Sequence, residues 1–125
     1  MSPGVLQVLM VAAGGAAGAV ARFLLGMSMA SMVPGPWPTL VVNVLGSFVI
    51  GLMIGALAGS DWFESWGRFL LVTGLLGGFT TYSAFAMDAV VLISQGRWLS
   101  AGTYVITTAI GCVLAAWRGV RIVSG

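Results

Sequence analysis

Apolar residues fill four long stretches of the 125-residue chain, and turn-forming residues collect between them. The stretches run from about Val5 to Met32, Trp37 to Gly59, Gly67 to Ser94 and Leu99 to Val120. A membrane-crossing helix needs about 20 predominantly apolar residues, so each stretch predicts one. SMVPGPWP (31–38), GSDWFESWG (59–67) and QGRW (95–98) supply the turns. The tryptophans support this count. Trp37, Trp62, Trp66, Trp98 and Trp117 all fall near a span end or in a turn, where the membrane interface favours them. A three-span reading would strand some of them at mid-membrane. The expected fold is an all-α membrane protein, one domain over residues 1–125 with four transmembrane helices.

The third stretch carries an interruption, GGFTTYSAF (77–85). Gly74, Gly77 and Gly78 are poor helix formers, and Thr80 and Thr81 are β-branched. A helix that opens here, broken mid-membrane, leaves carbonyls at the end of its first half and amides at the start of its second without partners. Lipid satisfies neither, so the break must be buried in protein or line a wet cavity. Bare carbonyls suit a hard monovalent cation, and bare amides and hydroxyls suit an anion. Beyond the break, Tyr82 and Phe85 share a helix face. Their positive ring edges could stabilise a small anion without a formal charge. Ordinary packing is the competing use, and chemistry alone favours it.

The other stretches hold rows of small and polar residues. Thr39, Asn43, Ser47, Gly51, Gly55 and Gly59 recur every fourth residue in the second, on one side of a helix. The glycine half predicts a close-packed seam. Asn43 is either interhelical glue within that seam or a functional donor, since its amide offers two N–H groups as well as an acceptor. In the first stretch Gly14, Gly15, Gly18 and Gly26 read as packing around Arg22, the one charge there. Arg22 either pairs with Asp88, which lies toward the same face, or stands at a pore mouth. In the fourth stretch Tyr104, Thr108 and Cys112 form an i, i+4, i+8 row that reads as a polar track, although Cys112 alone could be simple packing.

Composition fixes the solvent. The chain is 59% hydrophobic and 6% charged, against about 25% charged for soluble domains, and its mean hydropathy is +1.08. Lipid must therefore be its surroundings. The start, MSPGVLQVLM, has no basic n-region and leads into an apolar run too long for a secretory h-region. A net charge of +2 is too small and dispersed for nucleic acid. One cysteine allows no internal disulfide, and a chain without histidine or an acid cluster offers no zinc site. Arg68, Arg118 and Arg121 lie near the face that carries both termini, and Arg97 and Arg22 lie toward the other. That near-balance gives the positive-inside rule little to act on. It predicts insertion in both orientations and an antiparallel, dual-topology homodimer; a single orientation set by Arg118 and Arg121 is the alternative. One four-helix protomer encloses little, so oligomerisation is expected on size alone.

GGAAGAVARF (14–23), TLVVNVLGSFVIG (39–51) and GLLGGFTTYSAF (74–85), in this order in a four-span chain, resemble the Fluc (CrcB) fluoride channels of bacteria over essentially the whole length. The resemblance implies a passive, fluoride-selective channel in the bacterial inner membrane that exports fluoride and relieves its toxicity. It implies an antiparallel homodimer with two fluoride pathways and a central structural sodium ion held by backbone carbonyls. By motif position these belong to Gly77 and Thr80. The family's pore asparagine falls on Asn43, its pore phenylalanines on Tyr82 and Phe85, its polar track on Tyr104, Thr108 and Cys112, and its first-span arginine on Arg22. The hydroxyls of Thr39, Thr81 and Ser83 fall beside the same path. Tyr82 stands where the family has phenylalanine, Ala84 where threonine is usual, and Thr108 and Cys112 where serines are typical. The main rival is a coupled exporter of the small multidrug-resistance type, also short, four-span and dual-topology. It needs a membrane-embedded carboxylate; the first span has none, and Asp88 lies toward a membrane end. An assembly factor without transport is a third reading. An enzyme is disfavoured, as no nucleophile–base constellation is visible.

Overall fold

The computed structural model describes residues 1–124 and is helical throughout, with no strand among the described residues. Four helical segments are long and apolar enough to cross a membrane: Pro3–Ala30, Trp37–Leu57, Phe63–Ser94 and Trp98–Ser124. The chain is a multi-pass membrane protein. We label the helices α1 (Pro3–Ala30), α2 (Trp37–Leu57), α3 (63–79), α4 (Tyr82–Ser94) and α5 (Trp98–Ser124), with α3 and α4 together forming the third segment.

Local chemistry sets the boundaries. The Ser2 side chain caps α1 by accepting from the Val5 amide at 3.3 Å, with a proline at the first helical position. Gly35, Gly59 and Gly96 take positive φ in the three turns, as their lack of a side chain permits. Gly59 therefore leaves the row begun at Thr39, because α2 has already ended. The third segment begins at Phe63, before the expected Gly67. Phe63 is almost wholly buried beside Trp62, and Trp62 stacks on Trp66 at 5.3 Å, so this aromatic cluster joins the helix instead of ending the loop. Through Phe63–Gly67 and Phe69–Leu76 the segment is wound as a π-helix, and Gly77–Phe79 closes it with one α-helical turn. At Thr80 (φ −85°, ψ 156°) and Thr81 (φ −149°, ψ 117°) the backbone is extended, and α4 then starts at Tyr82.

Glycines build two seams. A methyl group on Gly14 or Gly18 of α1 would overlap the carbonyl oxygens of Leu70 and Leu75, and one on Gly78 would meet the Gly15 carbonyl. On the other side, Gly51 of α2 lies against the Ala116 carbonyl of α5, and Gly119 lies against that of Phe48. Gly51 and Gly55 thus form the packing seam the fourfold spacing predicts. In lipid, where apolar surface gains nothing by leaving its solvent, such close backbone approach is a main source of helix association. Phe85, Ala89 and Leu92 of α4 and Ala101 and Tyr104 of α5 join the halves in a small core. Val8, Phe23 and Met27 of α1 and Ile106, Ile110 and Val113 of α5 are exposed, as lipid-facing positions should be.

Gly18→Ala is expected to destabilise the fold by about 1–3 kcal/mol, the usual cost of overpacking. Gly26→Ala, where a methyl group meets nothing, should be neutral or stabilising. Thermal unfolding of the two purified variants in one detergent measures the difference; equal midpoints would mean that the α1–α3 seam is soft.

Candidate functional site

The site forms where α2 crosses the gap between α3 and α4. Asn43, 8% exposed, donates from Nδ2 to the Thr81 carbonyl at 3.0 Å, and its Oδ1 accepts from the Thr81 amide at 2.8 Å. One side-chain amide thus satisfies both backbone groups of an extended residue. The pairing has consequences along the chain. In a continuous α-helix the amide of residue i bonds the carbonyl of residue i−4. The Thr81 amide, due to Gly77, is taken by Asn43. The Ala84 amide, due to Thr80, is taken by Thr81 Oγ1 at 3.1 Å. The Gly77 and Thr80 carbonyls are therefore both deprived of their helical donors. The Gly78 carbonyl between them accepts from Arg22 Nε at 3.1 Å.

Beside this clamp lies a cavity of about 460 Å³ whose lining brings together Asn43, Thr81, Tyr82, Phe85, Thr108 and Cys112, with Gly77 and Thr80 also reaching it. The Tyr82 and Phe85 rings meet edge to face, centroids 5.4 Å apart at 70°. Thr108 is 5% exposed, and its Oγ1 has no hydrogen-bond partner among the described residues. Threonines in helices commonly bond a carbonyl one turn back. A buried hydroxyl left without a partner costs about 1–3 kcal/mol, and Thr108 carries this one in the wall of the cavity. No Asp, Glu, Lys or Arg lines the cavity. The lining offers amide, hydroxyl and ring-edge groups without formal charge.

Other expected residues lie elsewhere. Tyr104 heads the row of Thr108 and Cys112 in sequence, but it is wholly buried and absent from the cavity wall. Its hydroxyl donates to Asp88 Oδ2 at 3.1 Å, and its ring stands edge-on to Trp37 at 6.0 Å. The Arg22–Asp88 pair does not form. Arg22 comes off α1, which packs on α3, and so reaches Gly78, while Asp88 on α4 faces α5. Arg22 and Thr39 line a second cavity of about 370 Å³, and Thr81 lines both. Ser83 contacts Thr81, oxygen to oxygen at 3.4 Å, and lines neither. Sequence reasoning missed Gly46, against which the Thr80 side chain packs. Its signal was the i, i+3 spacing from Asn43. No group of three His, Cys, Asp or Glu side chains comes together among the described residues, so a cation at the break would rest on backbone oxygens.

Comparison with known proteins places this arrangement. The family described as "CrcB-like protein, Camphor Resistance (CrcB)" matches residues 9–120. The chain is 44% identical over 115 residues to a protein of Sphingopyxis alaskensis named fluoride-specific ion channel FluC, covering 90% of this chain and 91% of that protein. It is 41% identical over 118 residues to the protein of the same name from Nitrobacter winogradskyi (93% and 94% covered). With the Rhizobium meliloti protein of that name it shares 39% over 118 residues, again covering 93% and 94%. With its four apolar helical segments and a family match over nearly its full length, the chain belongs to the CrcB family.

Proposed function

We propose that the protein is a passive, fluoride-selective channel of the bacterial inner membrane that lets cytoplasmic fluoride leave the cell. The observation that carries this reading is the uncharged cavity beside the Asn43–Thr81 clamp, lined by Thr81, Thr108 and the edge-to-face pair of Tyr82 and Phe85. The names carried by its relatives support the choice of anion. Fluoride is small and holds its water tightly, so a path must replace that water with fixed donors. Donors without formal charge do this while still letting the ion go, as conduction requires. Hydrogen fluoride crosses lipid as a neutral acid and dissociates in a less acidic cytoplasm. The trapped anion needs only an exit, driven by about 2.3 kcal/mol per 100 mV of membrane potential.

The working unit is an antiparallel homodimer with two pathways. Tyr82 is 81% exposed in the protomer, at the edge of a break whose polar groups lipid cannot satisfy. A second copy covering that face would bury both. The break then lies at the bilayer midplane, on the dimer axis. The carbonyls of Gly77 and Thr80, freed by the diversion of the Thr81 and Ala84 amides, fit a structural sodium ion there, supplying hard neutral oxygens. A coupled exporter would need a carboxylate on its transport path, whereas Asp88 lines neither cavity and is bonded to Tyr104.

Liposomes holding the purified protein, with an ionophore for the counter-charge, should release fluoride rapidly and retain chloride; release of neither ion sinks the reading. Asn43→Asp keeps an acceptor for the Thr81 amide but loses the donor and adds negative charge, so its fluoride efflux should fall to background. Phe85→Ile should severely impair efflux, while an unchanged rate would return Phe85 to a packing role. Sodium should raise the unfolding temperature above that in N-methylglucamine of equal ionic strength. Equal temperatures would remove the ion from the structure.

A further inference from the structure

Two of the five arginines have their donors engaged inside the protein. Arg22 donates to the Gly78 carbonyl, and Arg68 pairs with Glu64 at 3.3 Å. Among the described residues, Arg118 and Arg121 donate to no carbonyl and meet no carboxylate. Both are exposed near the end of α5. The Arg121 guanidinium lies 5.9 Å from the centroid of the Trp117 ring, one turn back, within reach of a cation–π contact. An apolar surface leads up to them. Ile110, Leu114 and Trp117 are 56%, 53% and 56% exposed. With Arg121 they stand at i, i+4, i+7 and i+11 along α5, one continuous stripe. Helical spacing puts the stripe opposite the buried Thr108, and none of its residues lines either cavity. From Ile110 to Arg121 it rises about 16 Å, close to half of a hydrocarbon core of about 30 Å. That is the depth of one leaflet. An apolar run of this depth, ending in an aromatic ring and two cations, complements a lipid whose acyl chains end in a phosphate.

We propose that this end of α5 is a binding site for one anionic phospholipid. The phosphate oxygens accept from Arg118 and Arg121, Trp117 stands at the interface beside them, and an acyl chain lies along Leu114 and Ile110. Guanidinium suits this partner because its planar fork gives two parallel N–H bonds to a phosphate. A zwitterionic lipid carries the same phosphate, but its own ammonium cancels the net charge. Two unpaired cations therefore select the headgroup that stays negative. The helix dipole also favours cations at a C-terminus, but it acts equally in neutral lipid and predicts no preference between headgroups. The site is independent of conduction, since its residues lie outside both cavities.

Native mass spectra of the full-length protein in a neutral detergent test the site, with phosphatidylglycerol or phosphatidylcholine of the same acyl chains added. One phosphatidylglycerol per chain should be retained, and phosphatidylcholine about tenfold less, as two cations near the surface imply. Arg118→Gln/Arg121→Gln should lower phosphatidylglycerol to the level of phosphatidylcholine. Arg97→Gln, which removes an exposed charge from the turn before α5, should leave retention unchanged. Excess inorganic phosphate should not displace the lipid, because it has no chain for the stripe to hold. Equal retention of the two lipids by the unaltered protein overturns the site, whatever the variants do. So does a phosphatidylglycerol preference that persists without both arginines, or one lost equally in Arg97→Gln. Displacement by inorganic phosphate would make this a free-anion site and overturn the lipid assignment. Should the double variant fail to fold, the single variants Arg118→Gln and Arg121→Gln, each lowering retention severalfold, carry the comparison.

Discussion

The reciprocal pairing of Asn43 with Thr81 is the interaction on which the rest of the site depends. An extended residue inside an apolar helix presents an amide and a carbonyl that lipid cannot satisfy. Asn43 meets both, at 2.8 and 3.0 Å, from a neighbouring helix. It acts as a strand neighbour would, in one residue's width. With Thr81 held in this way, its hydroxyl is left to cap α4 through Ala84, and the third segment continues in a new helix. The break is thus a built feature with its own partners. The Gly77 and Thr80 carbonyls, deprived of their helical donors, are its product.

The glycine seams give that pairing its accuracy. Gly14 and Gly18 bring α1 onto the backbone of α3, and Gly51 and Gly119 bring α2 and α5 together. Gly46 does the finest fitting, leaving room for the Thr80 side chain beside Asn43. A methyl group there would overlap the Thr80 side chain and crowd the Phe79 ring. The α-helical turn at Gly77–Phe79 matters similarly. The wide winding of Phe69–Leu76 before it ends at Gly77, so the last carbonyls before the break are presented by a regular turn.

The four helices were legible in the sequence because lipid imposes one rule on long apolar stretches. The interruption was legible because glycines followed by β-branched residues defeat helix in such a setting. Asn43, Phe85 and Thr108 were legible as members of polar or aromatic rows. The partners of those residues were not. Helical spacing says that Tyr104, Thr108 and Cys112 share a side of α5, but a side is broad, and α4 takes Tyr104 into its own contact with Asp88. Arg22 and Asp88 looked complementary because they lie at similar depth. Depth carries no information on which helix packs against which, and α1 leans on α3, away from the Asp88 side of α4. The π-helical winding had no sequence signal that periodicity could register.

The placement of charge follows from the same geometry. The nearest cation to the break, Arg22, donates its Nε to the Gly78 carbonyl and lines the second cavity, not the one lined by Phe85 and Thr108. A guanidinium in the first cavity would hold an anion by a full charge in a medium of low dielectric, where attraction is strong and release correspondingly slow. The two cavities thus differ in charge: Arg22 lines the second, and no charged side chain lines the first. Thr81 is the residue common to both, and Asn43 is what holds it there.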